Sequence, residues 1–286
     1  MRLMRIGEFG SERPVVAIDE DSYVDVSDLV SDFNEEFFGS DGIERIRPQV
    51  DARIAAGEVK KLAGERIGAP FTRPHQIICI GLNFRDHAEE TGAEVPPEPI
   101  IFTKSPNTLI GPNDSVKIPR KSKRTDWEIE LGVVVGRRAR YVESVEQAAN
   151  HIAGYVVVND VSEREFQLER QGQWSKGKSS ETFNPAGPWL VTPDEVGDVG
   201  NLQMRLELNG EVKQDSSTNQ IVYDPAFLVH YLSQFLVLEP GDLINTGTPP
   251  GVGLGHKPEL YLKPGDVMTL SIQRLGSSSQ TVVDAD

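Results

Sequence analysis

Asp126-Trp127-Glu128-Ile129-Glu130-Leu131-Gly132-Val133-Val134-Val135-Gly136 reads as a strand that carries two carboxylates where its apolar neighbours demand burial. Side chains alternate faces along a strand. Glu128 and Glu130 therefore point one way, and Trp127, Ile129 and Leu131 the other. Like charges on one face repel, and burying one is costly unless it is paired or bound to a metal. A second apolar run, Gly154-Tyr-Val-Val-Val-Asn-Asp160, ends in a third carboxylate. Three oxygen donors at strand positions, with no cysteine or histidine beside them in sequence, suit a hard cation such as Mg²⁺ or Mn²⁺ better than Zn²⁺. The competing reading of Glu-x-Glu taken alone is an edge strand with both glutamates in water, where most carboxylates sit.

Outward from this stretch, strands alternate with turns. Gln76–Gly81 and Pro99–Lys104 precede it, and Trp189–Val191, Leu202–Leu208, Asp242–Asn245 and Val267–Ile272 follow. Upstream, Arg2–Ile6 and Pro14–Asp19 read as short strands and residues 21–64 as loosely helical. The turn-rich segment Ile67–His75 suggests a boundary, giving a small N-terminal α/β region over 1–70 and a larger domain over 71–286. Three helices are expected. A short one starts at Asn83 or Asp86 and runs through Glu90. Another starts at Ser144, where Ser144-Val-Glu-Gln147 fits a capping box and Val145, Ala148, Ala149 and Ile152 form a stripe. A third starts at Asp224-Pro225, with Phe227, Leu228, Tyr231, Leu232 and Phe235 on one face. A few helices among many strands make the fold class α+β.

The chain has 286 residues and a formal net charge of −15, which disfavours nucleic acid, since phosphate binding needs a basic surface. One cysteine, Cys79, rules out an internal disulfide. The first residues lack the apolar core of a signal peptide, and no apolar run approaches the roughly 20 residues of a membrane span. The expectation is a cytoplasmic protein that binds neither nucleic acid nor membrane.

Gly172-Gln-Trp-Ser-Lys-Gly177-Lys178-Ser179 matches a phosphate-binding loop letter for letter. That loop works only between a strand and a helix. Here the lead-in, Ser162–Arg170, is polar and helix-like, and the lead-out contains Pro185 and Pro188. Nucleotide binding is rejected on that ground, and Lys178 is left to be explained by the acidic centre.

His87 and Glu90 stand three apart, which makes them neighbours on a helix. A carboxylate beside an imidazole orients the ring and raises its basicity, as a general base requires, although an exposed His–Glu pair is more often plain surface. Read in order, several blocks resemble the fumarylacetoacetate hydrolase family: Gly81-Leu-Asn-Phe with His87-Ala-Glu-Glu90; Phe102-Thr-Lys104; Asp126-Trp-Glu128-Ile-Glu130; Asn159-Asp160-Val-Ser-Glu-Arg164; Gly177-Lys178-Ser179; Gly187-Pro188-Trp189; and Thr246-Gly-Thr248-Pro-Pro-Gly-Val-Gly253. The resemblance covers the chain from about Arg73 onward.

It implies a mixed, rolled β-sandwich catalytic domain and a homodimer. It implies metal ligation by Glu128, Glu130 and Asp160, a catalytic group of His87, Glu90 and Lys178, and substrate contacts from Arg164, Gln167 and Thr248. Mg²⁺ is the implied cofactor, with Mn²⁺ as the other option, and a small 2-oxo acid the implied partner. The eponymous enzyme has a further carboxylate ligand before its histidine, and this chain has none at a matching place, which argues against fumarylacetoacetate as substrate. The segment Phe166–Trp174 and the N-terminal extension are most similar to members that hydrolyse 2,4-diketo-3-deoxy sugar acids of fuconate or rhamnonate type, or acylpyruvates. The expected reaction is hydrolysis of a C–C bond in a 2,4-dioxo acid to pyruvate and a carboxylic acid. Decarboxylation of oxaloacetate or isomerisation of a 2-oxo diacid on the same site stands as the alternative, and a silent binding protein as a remoter one.

Overall fold

In the computed structural model, residues 1–86 and 96–285 are described. Among them, eleven strands form one large mixed sheet. From edge to edge it runs Lys60–Lys61, Ser22–Asp25, Arg13–Ala17, Arg2–Ile6, Leu190–Val191, Ile152–Asn159, Ile129–Val135, Leu243–Asn245, Ile77–Gly81 and Ile100–Lys104, with Ile67–Gly68 as a further partner of Arg2–Ile6. Leu243–Asn245 and Ile77–Gly81 pair in parallel; the other ladders are antiparallel. A second sheet has the order Glu211–Ser217, Gln203–Leu208, Val267–Ile272, Gly276–Asp284 and Val116–Ile118.

The two sheets pack face to face, and strand alternation decides what each face holds. Ile129, Leu131, Val133 and Val135 meet Met204, Leu206, Met268 and Leu270 in the core between the sheets. Val134, with Val156, Val158 and Leu243, faces the opposite side, where Phe33, Phe37, Phe38, Ile46 and Val50 cover the sheet. Those residues belong to the helices Glu35–Gly39 and Gly42–Ala55 and the turn before them. Glu128 and Glu130 share the parity of Val134, so they leave the inter-sheet core and emerge on that second face, near the strand's start. This is the α+β sandwich expected from sequence.

Arg2–Ile6 pairs antiparallel with Leu190–Val191, so the N-terminal strands extend the large sheet. The boundary expected near residue 70 falls between Ile67–Gly68 and Ile77–Gly81. Two helix starts are capped as the sequence predicts: Ser144 accepts from the Gln147 N–H and Asp224 from the Phe227 N–H. Three details differ. The helix after Ser144 is only Val145–Ala149, because Ile152 opens the strand Ile152–Asn159; sheet pairing there overrides the helical stripe. Ser22–Asp25, expected to be helical, is a strand laid beside Arg13–Ala17. On Pro225–Leu232 the buried residues are Pro225, Leu228, Val229 and Leu232, while Phe227 and Tyr231 stack outside with Tyr223, and Phe235 beyond is exposed. No helix among the described residues is long and apolar enough to cross a membrane.

Candidate metal centre and active site

Antiparallel register assembles the acidic cluster. Ile129 pairs with Asn159 and Glu130 with Val158, which sets Glu128 opposite Asp160, whose N–H donates to the Glu128 carbonyl at 2.8 Å. Opposed residues share a face, and diagonal neighbours lie within reach of long side chains. One oxygen each from Glu128, Glu130 and Asp160 lies within 4.8 Å of the others, and all three residues are buried.

Two lysines and an arginine converge on these carboxylates. The Lys178 ammonium donates to Glu128 Oε2 at 2.7 Å and to Asp160 Oδ2 at 2.8 Å. Lys104 is buried and donates to the other oxygen of Asp160. Arg164 forms ion pairs with Glu128 at 2.8 Å and with Asp126 at 2.7 Å. Burial raises the Glu128 pKa, but Lys178 and Arg164 outweigh it and bring that carboxyl down to about 2. Burial would lower Lys178, yet Asp160 and Glu128 hold it above the usual lysine range. Burial, helped by the like charge of Lys178, pulls Lys104 below that range despite Asp160.

Glu130 is different. Its Oε2 accepts from the Gly247 N–H at 2.8 Å, and it has no ion pair among the described residues. Burial, with Asp160 and Glu128 close by, pushes its pKa well above the ordinary carboxylate value. A carboxylate left short of positive charge, in an all-oxygen set of three, is the donor chemistry that a hard divalent cation satisfies. The residues present therefore fit such an ion.

The loop that supplies the Gly247 N–H is held from several sides. Gly247 has φ +100°, a region that favours glycine, and a Cβ there would stand 3.0 Å from the Asn83 Cβ. Asn83, read from sequence as one possible helix start, is instead a buried tie: its amide donates to the Thr246 carbonyl at 2.8 Å and to the Tyr223 carbonyl at 3.1 Å. Thr248 donates its hydroxyl to the Ile129 carbonyl and accepts from Gln214 Nε2. Gln214 also accepts from the Ile129 N–H, locking loop to strand.

Glu128, Glu130, Arg164, Gln167, Lys178 and Thr248 all line one cavity of about 250 Å³. Gln167 sits on the π-helical turn Glu165–Glu169 and accepts from Arg164 at 3.0 Å. Lys178 ends the short helix Trp174–Lys178. That settles the phosphate-loop lookalike: its lysine points into carboxylates, which repel a phosphate. His87 and Glu90 lie outside the described residues.

Sequence reasoning underrated three residues. Lys104, which the sequence places only at the end of a strand, sets its ammonium on Asp160. Its signal was an apolar strand that ends in a buried lysine. Asp126 accepts from the N–H groups of Gly253 and Leu254 while pairing with Arg164, so it ties a cavity loop to a cavity cation. Gln214 sits in the polar strand Glu211–Ser217, where nothing in the sequence marks it.

Residues 76–283 match the family described as fumarylacetoacetate (FAA) hydrolase, C-terminal. A 2,4-didehydro-3-deoxy-L-rhamnonate hydrolase from Sphingomonas sp. (strain SKA58) is 46% identical over 285 residues, covering 99% of this chain and 96% of that protein. Among solved structures, a fumarylacetoacetate hydrolase from psychrophilic Exiguobacterium antarcticum superposes with a TM-score of 0.85 at 31% identity, over 100% of both chains. A maleylpyruvate hydrolase from Sphingobium sp. SYK-6, in complex with manganese(II) ion and pyruvate, gives a TM-score of 0.82 at 26% identity, again over 100% of both chains.

Proposed function

We propose that this chain, which belongs to the fumarylacetoacetate hydrolase family, is a divalent-metal-dependent hydrolase that breaks the C3–C4 bond of a 2,4-dioxo acid to give pyruvate and a carboxylic acid. The observation that carries this reading is the buried trio Glu128, Glu130 and Asp160 with Lys178 at the head of a single cavity. The rhamnonate-type relative and the pyruvate-bound neighbour support it.

Glu128, Glu130 and Asp160 would hold Mg²⁺ or Mn²⁺, which when bound supplies a Lewis acid for the 2-oxo group and its carboxylate. Lys178 and Arg164 place positive charge beside that head group and offset the negative charge that develops on the departing pyruvate carbon. Gln167, whose amide nitrogen has no partner among the described residues, donates to the substrate. Thr248 keeps its hydroxyl hydrogen on the Ile129 carbonyl and so acts through its shape and its remaining lone pair. His87, with Glu90 as its orienting carboxylate, takes a proton from water. The hydroxide adds to C4, the C3–C4 electron pair moves onto C3, and C3 is then protonated. The functional form in this reading is the homodimer that the family resemblance implies.

The test is the loss of β-diketone absorbance when purified protein and Mg²⁺ meet acetylpyruvate. Decay with release of equimolar pyruvate supports the reading, and its collapse in His87→Ala supports the proton transfer. No decay with acetylpyruvate or any longer 2,4-dioxo acid would overturn it.

A further inference from the structure

We infer that Phe102 and Trp174 form a specificity wall that receives an uncharged carbon tail beyond C4 and turns away substrates whose tail ends in a second carboxylate. This rests on the hydrolase reading above and narrows it to a substrate class.

The cavity lining is of two kinds: the carboxylates with their cations, and an apolar part made by Ile80, Leu82, Phe102, Leu168, Trp174 and Leu254. At about 250 Å³ the cavity lies just under the roughly 300–1,000 Å³ usual for ligand pockets, so it suits a small substrate. A tail carboxylate packed against the apolar part would need a cation. Among the described residues, the two cations that line the cavity are already engaged: Lys178 on Glu128 and Asp160, Arg164 on Asp126 and Glu128. Outside it, Lys104 is held by Asp160 and Arg170 by Glu165, and Lys176 donates to the Arg170 carbonyl. Burying an unpaired carboxylate is strongly unfavourable, whereas each buried methylene is favourable.

The wall is built into the element that carries the lysine. Trp174 and Lys178 stand four apart on one short helix, hence on the same face. The indole meets the Phe102 ring edge-on, with centroids 5.3 Å apart and planes at 70°. The Phe102 ring in turn lies 5.3 Å from the Lys178 ammonium. Gly81 completes the seat: a Cβ there would stand 2.8 Å from the Trp174 ring, so only glycine lets the indole lie against the end of Ile77–Gly81. One helix thus sets both the charge at the head of the substrate and the surface for its tail.

The decisive comparison is between two substrates of equal chain length, 2,4-dioxoheptanoate and 2,4-dioxoheptanedioate, with the Mg²⁺-loaded protein. The expected kcat/KM ratio favours the monoacid by about tenfold or more, the scale on which apolar pockets discriminate. Trp174→Ala is expected to penalise 2,4-dioxoheptanoate about tenfold more than acetylpyruvate, and to do so chiefly through KM. Leu168→Arg, at a 45% exposed position that tolerates a long side chain, is expected to narrow the monoacid preference severalfold. Equal use of both seven-carbon substrates, or an equal loss on both chain lengths in Trp174→Ala, overturns the inference. A binding readout separates this from the hydrolase reading. Trp127 and Trp189 are buried, so quenching of tryptophan emission by 2-oxoheptanoate is expected to come from Trp174 and to vanish in Trp174→Phe. If no 2,4-dioxo acid is cleaved, the hydrolase reading falls. The titration still decides the wall: quenching that survives in Trp174→Phe, or 2-oxoheptanedioate binding as tightly as 2-oxoheptanoate, overturns it.

Discussion

Lys178 and Glu130 occupy opposite electrostatic situations within one site. Lys178 bonds two buried carboxylates, so Lys178→Met removes one of the two cations on each and leaves Glu128 to Arg164 and Asp160 to Lys104. Breaking a buried pair from one side destabilises by about 3–5 kcal/mol. The metal-free Lys178→Met protein is therefore expected to melt well below wild type, and excess Mn²⁺ to restore part of the loss; calorimetry with and without the ion checks both. Glu130 predicts a pH dependence of the opposite kind. Its folded pKa is raised, so between the unfolded carboxylate value and that raised value the native state binds more protons than the unfolded one. The metal-free protein should thus lose stability as pH climbs through this window, an effect that Glu130→Gln abolishes in melting curves taken across pH. Glu128 is lowered to about 2, and its contribution is present above the ordinary carboxylate range and lost only as pH falls toward that value. At this scale the acidic residues were legible, because Glu-x-Glu in an apolar strand violates burial rules. Lys104 and Gln214 were not, since their roles come from partners 56 and 85 positions away in sequence.

Among elements, the strand Ile129–Val135 and the loop Thr246–Thr248 act as a unit. The strand and the extended residue before it set Glu130 and Glu128 on one face, and the loop returns one N–H to Glu130. Gly247→Ala puts a side chain where φ is +100° and Asn83 is in contact, at a cost of about 1–2 kcal/mol. It is expected to lower Tm and to weaken divalent-ion binding about tenfold by dislodging that N–H; isothermal titration measures the second effect independently of the first. Alternation and helix caps were readable from local sequence, as Ser144 and Asp224 confirm. Strand register was not. Nothing local says that Ile129 pairs with Asn159, yet that pairing sets Asp160 opposite Glu128. The same gap explains Ile152, whose place in a helical stripe was overridden by sheet pairing.

At the scale of the whole molecule, two faces of one sheet divide the work. The inner face packs on the second sheet, and the outer face holds the acidic cluster near one end and the covering helices along its length. The N-terminal strands belong to that same sheet through Arg2–Ile6 beside Leu190–Val191, and Met4 and Leu3 are buried on opposite faces. Deleting residues 1–20 would bare a sheet edge and both side chains, so the truncated chain is expected to aggregate rather than to give a cooperative melt in light-scattering-coupled calorimetry. The fold class was legible from the count and kind of elements; the joining of the first strands to a segment nearly 190 residues later was not. Crystals grown with Mn²⁺ and measured for anomalous scattering decide whether Glu128, Glu130 and Asp160 hold a divalent ion. One strong peak is expected within about 2.0–2.3 Å of an oxygen from each of the three carboxylates. Full Mn²⁺ occupancy elsewhere, with Lys178 still bridging Glu128 and Asp160 and no peak among the three, would contradict it.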